Sequence, residues 1–245
     1  MRLTRVHVDA PLHPGSDLAL PDAASAHLGR VLRLGVGDAC VLFNGDGHDY
    51  AARIVALGKR ELRVAIDSAA ALTNESPLRM TLLQGIARGE KMDLILQKAT
   101  ELGVTEIRPL SSQRSEVKLD AARAEKRLAH WRSVVVSACE QSGRARVPQV
   151  LPPQTLAAAL TELPGGGLRL ILDPAGDLAF STLAIAPDAA VRLAVGPEGG
   201  WSPLDREQLQ AAGFQGLRLG PRILRTETAG LAAIAALQAG FGDLG

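Results

Sequence analysis

The chain reads as an α/β protein, with a small all-β domain followed by a larger domain of alternating strands and helices. Three observations lead there. Residues 1–70 hold short strand-like runs separated by turn signals. From residue 78 onward, strand-like runs alternate with stretches whose apolar residues recur at helical spacing, which implies a mostly parallel sheet. Between them the pattern stops in the polar stretch Thr73-Asn74-Glu75-Ser76-Pro77, which divides the chain into 1–72 and 73–245.

In the first domain the clearest strands are Ala39 to Asn44, Tyr50 to Ala56 and Glu61 to Ile66. Asn44-Gly45-Asp46-Gly47 is a hairpin turn, because Asn-Gly and Asp-Gly adopt the positive φ angles that tight hairpins need. Gly35-Val36-Gly37-Asp38 and Leu57-Gly58-Lys59 are further turns, and the whole is a small β-barrel pattern. In the second domain Leu78 to Gln84 is a strand. Met92, Ile95, Leu96, Ala99 and Leu102 share one helical face, and Gly103 ends that helix. Glu106 to Leu110 is the next strand. Ala121 to Ser142 is a long helix with Leu128, Trp131, Val135 and Ala138 on one side, followed by Gly143. Leu168 to Leu172, Val191 to Val195 and Phe214 to Leu219 are strands. Ser202-Pro203-Leu204-Asp205 starts a helix, with a Ser cap, a Pro in the first turn and an Asp three residues after the cap; Gly213 ends it. Thr226 or Thr228 is expected to cap the last helix, Ala229 to Ala239.

Composition narrows the function classes. No stretch has the length of a transmembrane span, and the first residues lack a signal-peptide apolar region, so a cytoplasmic protein is expected. Cys40 and Cys139 are far apart and read as free thiols, and five scattered histidines argue against a metal site. Formal net charge is +1, which excludes a bulk electrostatic nucleic-acid binder. The charge is uneven, however: residues 79–146 carry thirteen Lys and Arg against eight Asp and Glu. Only this middle segment offers a basic face.

Two segments carry the chemistry. Gly196-Pro197-Glu198-Gly199-Gly200-Trp201 follows one strand, and Leu219-Gly220-Pro221-Arg222-Ile223-Leu224-Arg225-Thr226-Glu227-Thr228-Ala229 follows another. Loops at the C-terminal ends of strands are where α/β sheets bind small ligands, and glycines there let backbone groups approach closely. Neither segment is a P-loop or a dinucleotide fingerprint, since the required Lys and glycine spacings are absent. Glu198 between glycines gains nothing structurally. Ile223-Leu224 before a helix start suits a flat apolar ring.

Together the two segments resemble the cofactor loops of the SPOUT class of RNA methyltransferases, and most closely the RsmE family. Further blocks carry the same resemblance: Lys91 with Gln97-Lys98-Ala99-Thr100-Glu101-Leu102-Gly103-Val104; Pro109 with Ser112-Gln113-Arg114-Ser115, where Gln113 stands for the family's Glu; Trp131, Ala138, Glu140-Gln141-Ser142, Arg144 and Pro148; and His27-Leu28 with Val31-Leu32-Arg33 and Gly37-Asp38. One departure is Arg5-Val6-His7-Val8, where an aromatic often follows the Arg.

The resemblance implies a PUA-like barrel, then a SPOUT methyltransferase domain with a C-terminal deep trefoil knot, in a homodimer. It implies S-adenosylmethionine-dependent methylation of N3 of a specific uridine in 16S ribosomal RNA, free or within the small ribosomal subunit, with no metal and no membrane. Another SPOUT reaction, on a ribose 2′-hydroxyl or a different base, and a non-enzymatic RNA-binding protein are the alternatives. By the same resemblance Leu172, Asp173, Gly196, Glu198, Gly199, Gly200, Leu219, Gly220, Ile223, Leu224, Thr226 and Thr228 bind the cofactor. Arg5, Arg33, Arg88, Lys91, Arg114 and Arg144 contact RNA. Arg225, Glu198 and Arg114 are the catalytic candidates: Glu198 as base or cofactor-orienting group, the arginines as stabilisers of a uracil anion.

Overall fold

The Asn44-Gly45-Asp46-Gly47 turn joins two antiparallel strands as expected, and it belongs to the first of two compact units. The computed structural model describes residues 3–58, 61–115 and 120–245. Unit one comprises Met1–Glu75 together with Val136–Val147; unit two comprises Ser76–Val135 and Pro148–Gly245. The division near residue 75 falls close to the polar stretch, but the return of residues 136–147 to the first unit has no counterpart in the sequence pattern, because it lies inside one continuous helix.

Unit one holds β1 (Arg5–His7), β2 (Asp17–Ala19), α1 (Asp22–Ala26) running into a π-turn (His27–Val31), β3 (Ala39–Phe43), β4 (His48–Leu57) and β5 (Leu62–Ala71). They form a five-stranded sheet in the order β1-β3-β4-β5-β2, antiparallel except for β1 beside β3. Val6, Leu28, Leu42, Ile54, Val64 and their neighbours make one core. The turn expected at Leu57-Gly58-Lys59 includes Lys59, which lies outside the described residues.

Two expected RNA contacts are instead interior. Arg5 and Arg144 are 8% and 5% exposed. Arg5 pairs with Asp49, donates to the Arg144 carbonyl at 3.0 Å and stacks over Phe43. Arg144 grips both oxygens of Glu75. Their carboxylate partners stand far away in sequence, so spacing could not reveal them. Both guanidinium groups are thus spent on carboxylates within unit one in this structure.

Unit two holds β6 (Arg79–Gly85), α2 (Glu90–Glu101), β7 (Glu106–Ser111), the first part of α3 (Ala121–Ser142), β8 (Gln149–Val150), β9 (Gln154–Thr155), α4 (Leu156–Thr161), β10 (Leu168–Leu172), β11 (Ala190–Val195), α5 (Pro203–Ala211), β12 (Gln215–Leu217) and α6 (Thr226–Phe241). The sheet runs β12-β10-β11-β6-β7-β8, with β9 beside β7, and every pairing is parallel. Its strands are apolar on both faces, as a sheet covered by helices requires. Ser202 and Asp205 form the expected capping box on α5. Gly103, Gly143 and Gly213 take φ angles of +85°, +88° and +81°, the left-handed turn that ends a helix without a Cβ clash.

One expectation fails at α6. The helix begins at Thr226, with Arg225 in the capping position and no side-chain cap. Thr226 is already the first helical residue, one position past the cap, and its hydroxyl donates to the Gly196 carbonyl. No helix among the described residues is long and apolar enough to cross a membrane.

Replacing Arg144 with Ala leaves Glu75 half-buried without its cation. Unit one should lose about 3 kcal/mol, the usual cost of breaking a buried pair from one side. Denaturant unfolding checks this; a phosphate-contacting arginine would leave the midpoint unchanged.

Candidate functional site

The last residues of β10, β11 and β12 (Leu172, Val195 and Leu217) line one wall of a cavity of about 360 Å³. That is the carboxyl edge of a parallel sheet, and the volume is that of a small-molecule site. The two loops of interest supply most of the rest, among them Gly196, Pro197, Glu198, Gly200 and Trp201 from one, and Leu219, Gly220, Ile223, Leu224, Arg225 and Thr226 from the other. Leu172, Val195, Leu217, Leu219, Ile223, Leu224 and Ala229 make the lining mainly apolar.

The walls are held by buried polar contacts. Gln84, fully buried at the end of β6, donates from Nε2 to Thr226 Oγ1 at 3.1 Å and to the Gly85 carbonyl at 2.9 Å. The Thr226 hydroxyl donates to the Gly196 carbonyl at 2.5 Å. The Gly-rich loop closes on itself through Gly200 N–H to the Pro197 carbonyl, with Gly200 at φ +66°. Gly85 makes this geometry possible, since a Cβ there would stand 2.5 Å from the Pro197 nitrogen. Gln84 and Gly85 escaped the sequence reading. The only signal was a polar residue and a glycine closing an otherwise apolar strand.

Charge is arranged unevenly around the cavity. Asp173 pairs with Arg206 of α5, another wall residue the sequence did not suggest. Lys91 Nζ stands 3.7 Å from Glu198 and 3.5 Å from Glu227. Glu198 also accepts from the Arg88 backbone N–H at 3.1 Å. Burial pushes the Glu198 carboxyl up, but the backbone N–H groups of Arg88 and of Glu198 itself, with the charges of Lys91 and Arg88, outweigh it and hold the group below the ordinary glutamate value. A base for a weak acid needs the opposite shift, so Glu198 is poorly suited to that role. Arg225 lines the cavity without a salt-bridge partner among the described residues. The acids near it are taken by Lys91.

Of the sequence candidates, ten of the twelve expected cofactor residues lie on the wall; Gly199 and Thr228 do not. Thr228 is exposed on α6. The close neighbour of Gly199 is Arg114, whose Cβ and carbonyl oxygen lie 3.1 Å from the Gly199 Cβ direction and whose guanidinium donates to the Gly199 carbonyl at 3.2 Å. Arg114 therefore braces the Gly-rich loop from outside the cavity. Arg88 is exposed just before α2 and Arg33 is exposed in unit one, with φ +57°. Lys91, expected on RNA, is folded back onto two carboxylates.

Among the described residues no group of three His, Cys, Asp or Glu side chains gathers as a metal cage. The donor set suits an organic ligand instead: apolar walls for a flat ring, backbone groups in two glycine loops, and carboxylates at the rim. An adenosine-containing sulfonium fits that chemistry.

Comparison with known proteins points the same way. The family described as RNA methyltransferase domain matches residues 74–238, and RNA methyltransferase PUA domain matches 20–67. A protein of Buchnera aphidicola (from Schizaphis graminum), named ribosomal RNA small subunit methyltransferase E, is 32% identical over 99% of this chain and 98% of its own length. One of the same name from Bacillus subtilis is 29% identical over 86% and 85%. The crystal structure of the Neisseria gonorrhoeae protein of that name, bound to S-adenosylmethionine, superposes with a TM-score of 0.93, at 43% identity and 100% of both chains.

Gly85→Ala should drive the Gly-rich loop out of the cavity wall. The expected result is at least a tenfold loss of S-adenosylmethionine affinity (about 1.4 kcal/mol), read by titration calorimetry, with helical content retained.

Proposed function

Because the chain belongs to the RsmE family of S-adenosylmethionine-dependent ribosomal RNA methyltransferases, we propose that it methylates N3 of a specific uridine in 16S ribosomal RNA through the cavity at the ends of β10, β11 and β12. The observation that carries this reading is the combination of a mainly apolar, glycine-walled cavity with an unpaired arginine, Arg225, in its lining. Gly196, Gly200, Gly220 and the Leu172, Leu219 and Leu224 side chains hold the cofactor, with Asp173 fixed in place by Arg206. When bound, S-adenosylmethionine supplies an electrophilic methyl group on a sulfonium.

The remaining work is done by the protein's own residues. Uracil N3 carries a proton at neutral pH, and its loss puts negative charge on the ring oxygens. Arg225 answers that charge. A cation beside a helix N-terminus opposes the helix dipole, so its position costs stability and is explained by use. Preorganised charge of this kind stabilises an anion without reorganisation during reaction. Arg114 keeps the Gly-rich loop in register, and Arg33 and Arg88 are placed to meet phosphate, which positions RNA without reading its sequence.

The same reading carries the family's deep trefoil knot, its homodimeric state and a cytoplasmic location. The alanines of α6 support a close-packed seam, since small side chains let backbones approach. The partner is 16S ribosomal RNA or the small subunit that contains it.

Nucleoside mass spectrometry of small-subunit RNA from cells with and without the gene tests the substrate. Loss of N3-methyluridine is expected; loss of a ribose-methylated nucleoside instead would redirect the assignment within the fold. Arg225→Ala should lower single-turnover methylation more than tenfold, about 1.4 kcal/mol of barrier, with cofactor affinity nearly unchanged. A mutant losing both together would place Arg225 on the cofactor instead.

A further inference from the structure

Three chain segments meet at one ammonium group. Lys91 is the second residue of α2, Glu198 lies in the loop after β11, and Glu227 is the second residue of α6. Lys91 Nζ is 3.7 Å from Oε1 of Glu198 and 3.5 Å from Oε1 of Glu227. Lys91 and Glu198 are themselves wall residues, and Glu227 adjoins the wall residue Thr226. The second oxygen of Glu227 is buried and has no hydrogen-bond partner among the described residues. A carboxylate oxygen placed so is costly to keep, and pairing of the group with a cation offsets that cost.

From this geometry we propose that Lys91 is a positioning residue of the cofactor cavity: its ammonium bridges Glu198 and Glu227 and so holds the Gly-rich loop against the start of α6. The proposal rests on the cofactor reading above. The side chain is about one-third exposed, at 34%, and is spent on the two carboxylates rather than extended toward phosphate. Besides Lys91, the charged group that faces Glu198 is Arg88, on the segment preceding α2; Glu227 faces it across the ammonium, and Arg225 lines the same cavity.

The arrangement has a signed consequence. The Glu198 carboxyl sits below its ordinary value, so the bridge is intact above that ordinary value and is lost as pH falls through the lowered one. Removing Lys91 deletes an attractive charge and leaves Glu227 as a repulsive one, so the Glu198 midpoint moves up. Removing the charge of Glu227 moves it down.

The test follows the Glu198 carboxyl by ¹³C titration in the wild-type, Lys91→Met and Glu227→Gln proteins, beside calorimetric titration with S-adenosylmethionine and binding to a 16S RNA fragment. Lys91→Met should raise the Glu198 midpoint and weaken cofactor affinity roughly tenfold. Glu227→Gln should lower the midpoint, and Lys91→Arg should preserve both midpoint and affinity. Should Lys91→Met fail to fold, the downward shift in Glu227→Gln carries the test. An unmoved midpoint in Glu227→Gln overturns the bridge. A Lys91→Met protein with normal cofactor affinity but weakened RNA binding also overturns it and makes Lys91 a phosphate contact. The carboxyl titration needs no cofactor. A wild-type protein that shows the predicted midpoints yet binds no S-adenosylmethionine would therefore refute the cofactor reading separately from the bridge.

Discussion

The cavity depends on a single hydrogen bond, from the Thr226 hydroxyl to the carbonyl of Gly196. That contact joins the first residue of α6 to the first residue of the Gly-rich loop, across thirty positions of chain. Gln84 stands behind it from the adjacent strand, itself fully buried and bonded to both Thr226 and Gly85. A polar cluster in an otherwise apolar sheet is costly unless its groups satisfy one another. Here the Gln84 amide nitrogen, the Thr226 hydroxyl and the Gly196 carbonyl satisfy one another across β6, the loop and the helix, while the Gln84 Oε1 has no partner among the described residues. α6 starts without a side-chain cap because the capping position is Arg225, whose guanidinium has no acceptor to offer.

Much of this was legible in the sequence where the signal is local. Capping chemistry places the start of α5 correctly, since Ser202, Pro203 and Asp205 act within four residues. Apolar periodicity finds α2 and α3, and the strand-to-loop transitions find most of the cavity wall. What was not legible is pairing at a distance. Arg5 near the start of the chain and Arg144 in the basic middle segment look like surface cations until Asp49 and Glu75 are brought to them by the fold. Lys91 reads as an RNA contact for the same reason. Gly199 looks like a ligand-approach glycine, yet the group it admits is Arg114.

Electrostatics at the site follows a simple division. Several charges that shape the walls are paired, Asp173 with Arg206 and Lys91 with Glu198 and Glu227, while Arg222, also on the wall, has no salt bridge among the described residues. Arg225, the one given the charge-stabilising role, has no such partner among the described residues. Charges held in pairs are insulated from one another and vary little with the arrival of a ligand. An unpaired one retains its field for whatever enters, although Arg225 is exposed and solvent screens that field until a ligand excludes the water.

The discontinuity of the first unit bears on how the chain acquires its structure. Phe43, buried at the end of β3, packs with Cys139 and Ala145, and Gly47 donates its N–H to the Ala145 carbonyl. Those partners are synthesised about a hundred residues after the strands they complete. Domains generally fold as units while the chain emerges from the ribosome, N-terminal ones first. Here the main core, Val6 to Ile66, is complete early, but the small cluster around Phe43 stays uncovered until β6, α2, β7 and all of α3 have been made. Completion of the N-terminal unit, as distinct from formation of its core, is thereby tied to synthesis of the first half of the catalytic one.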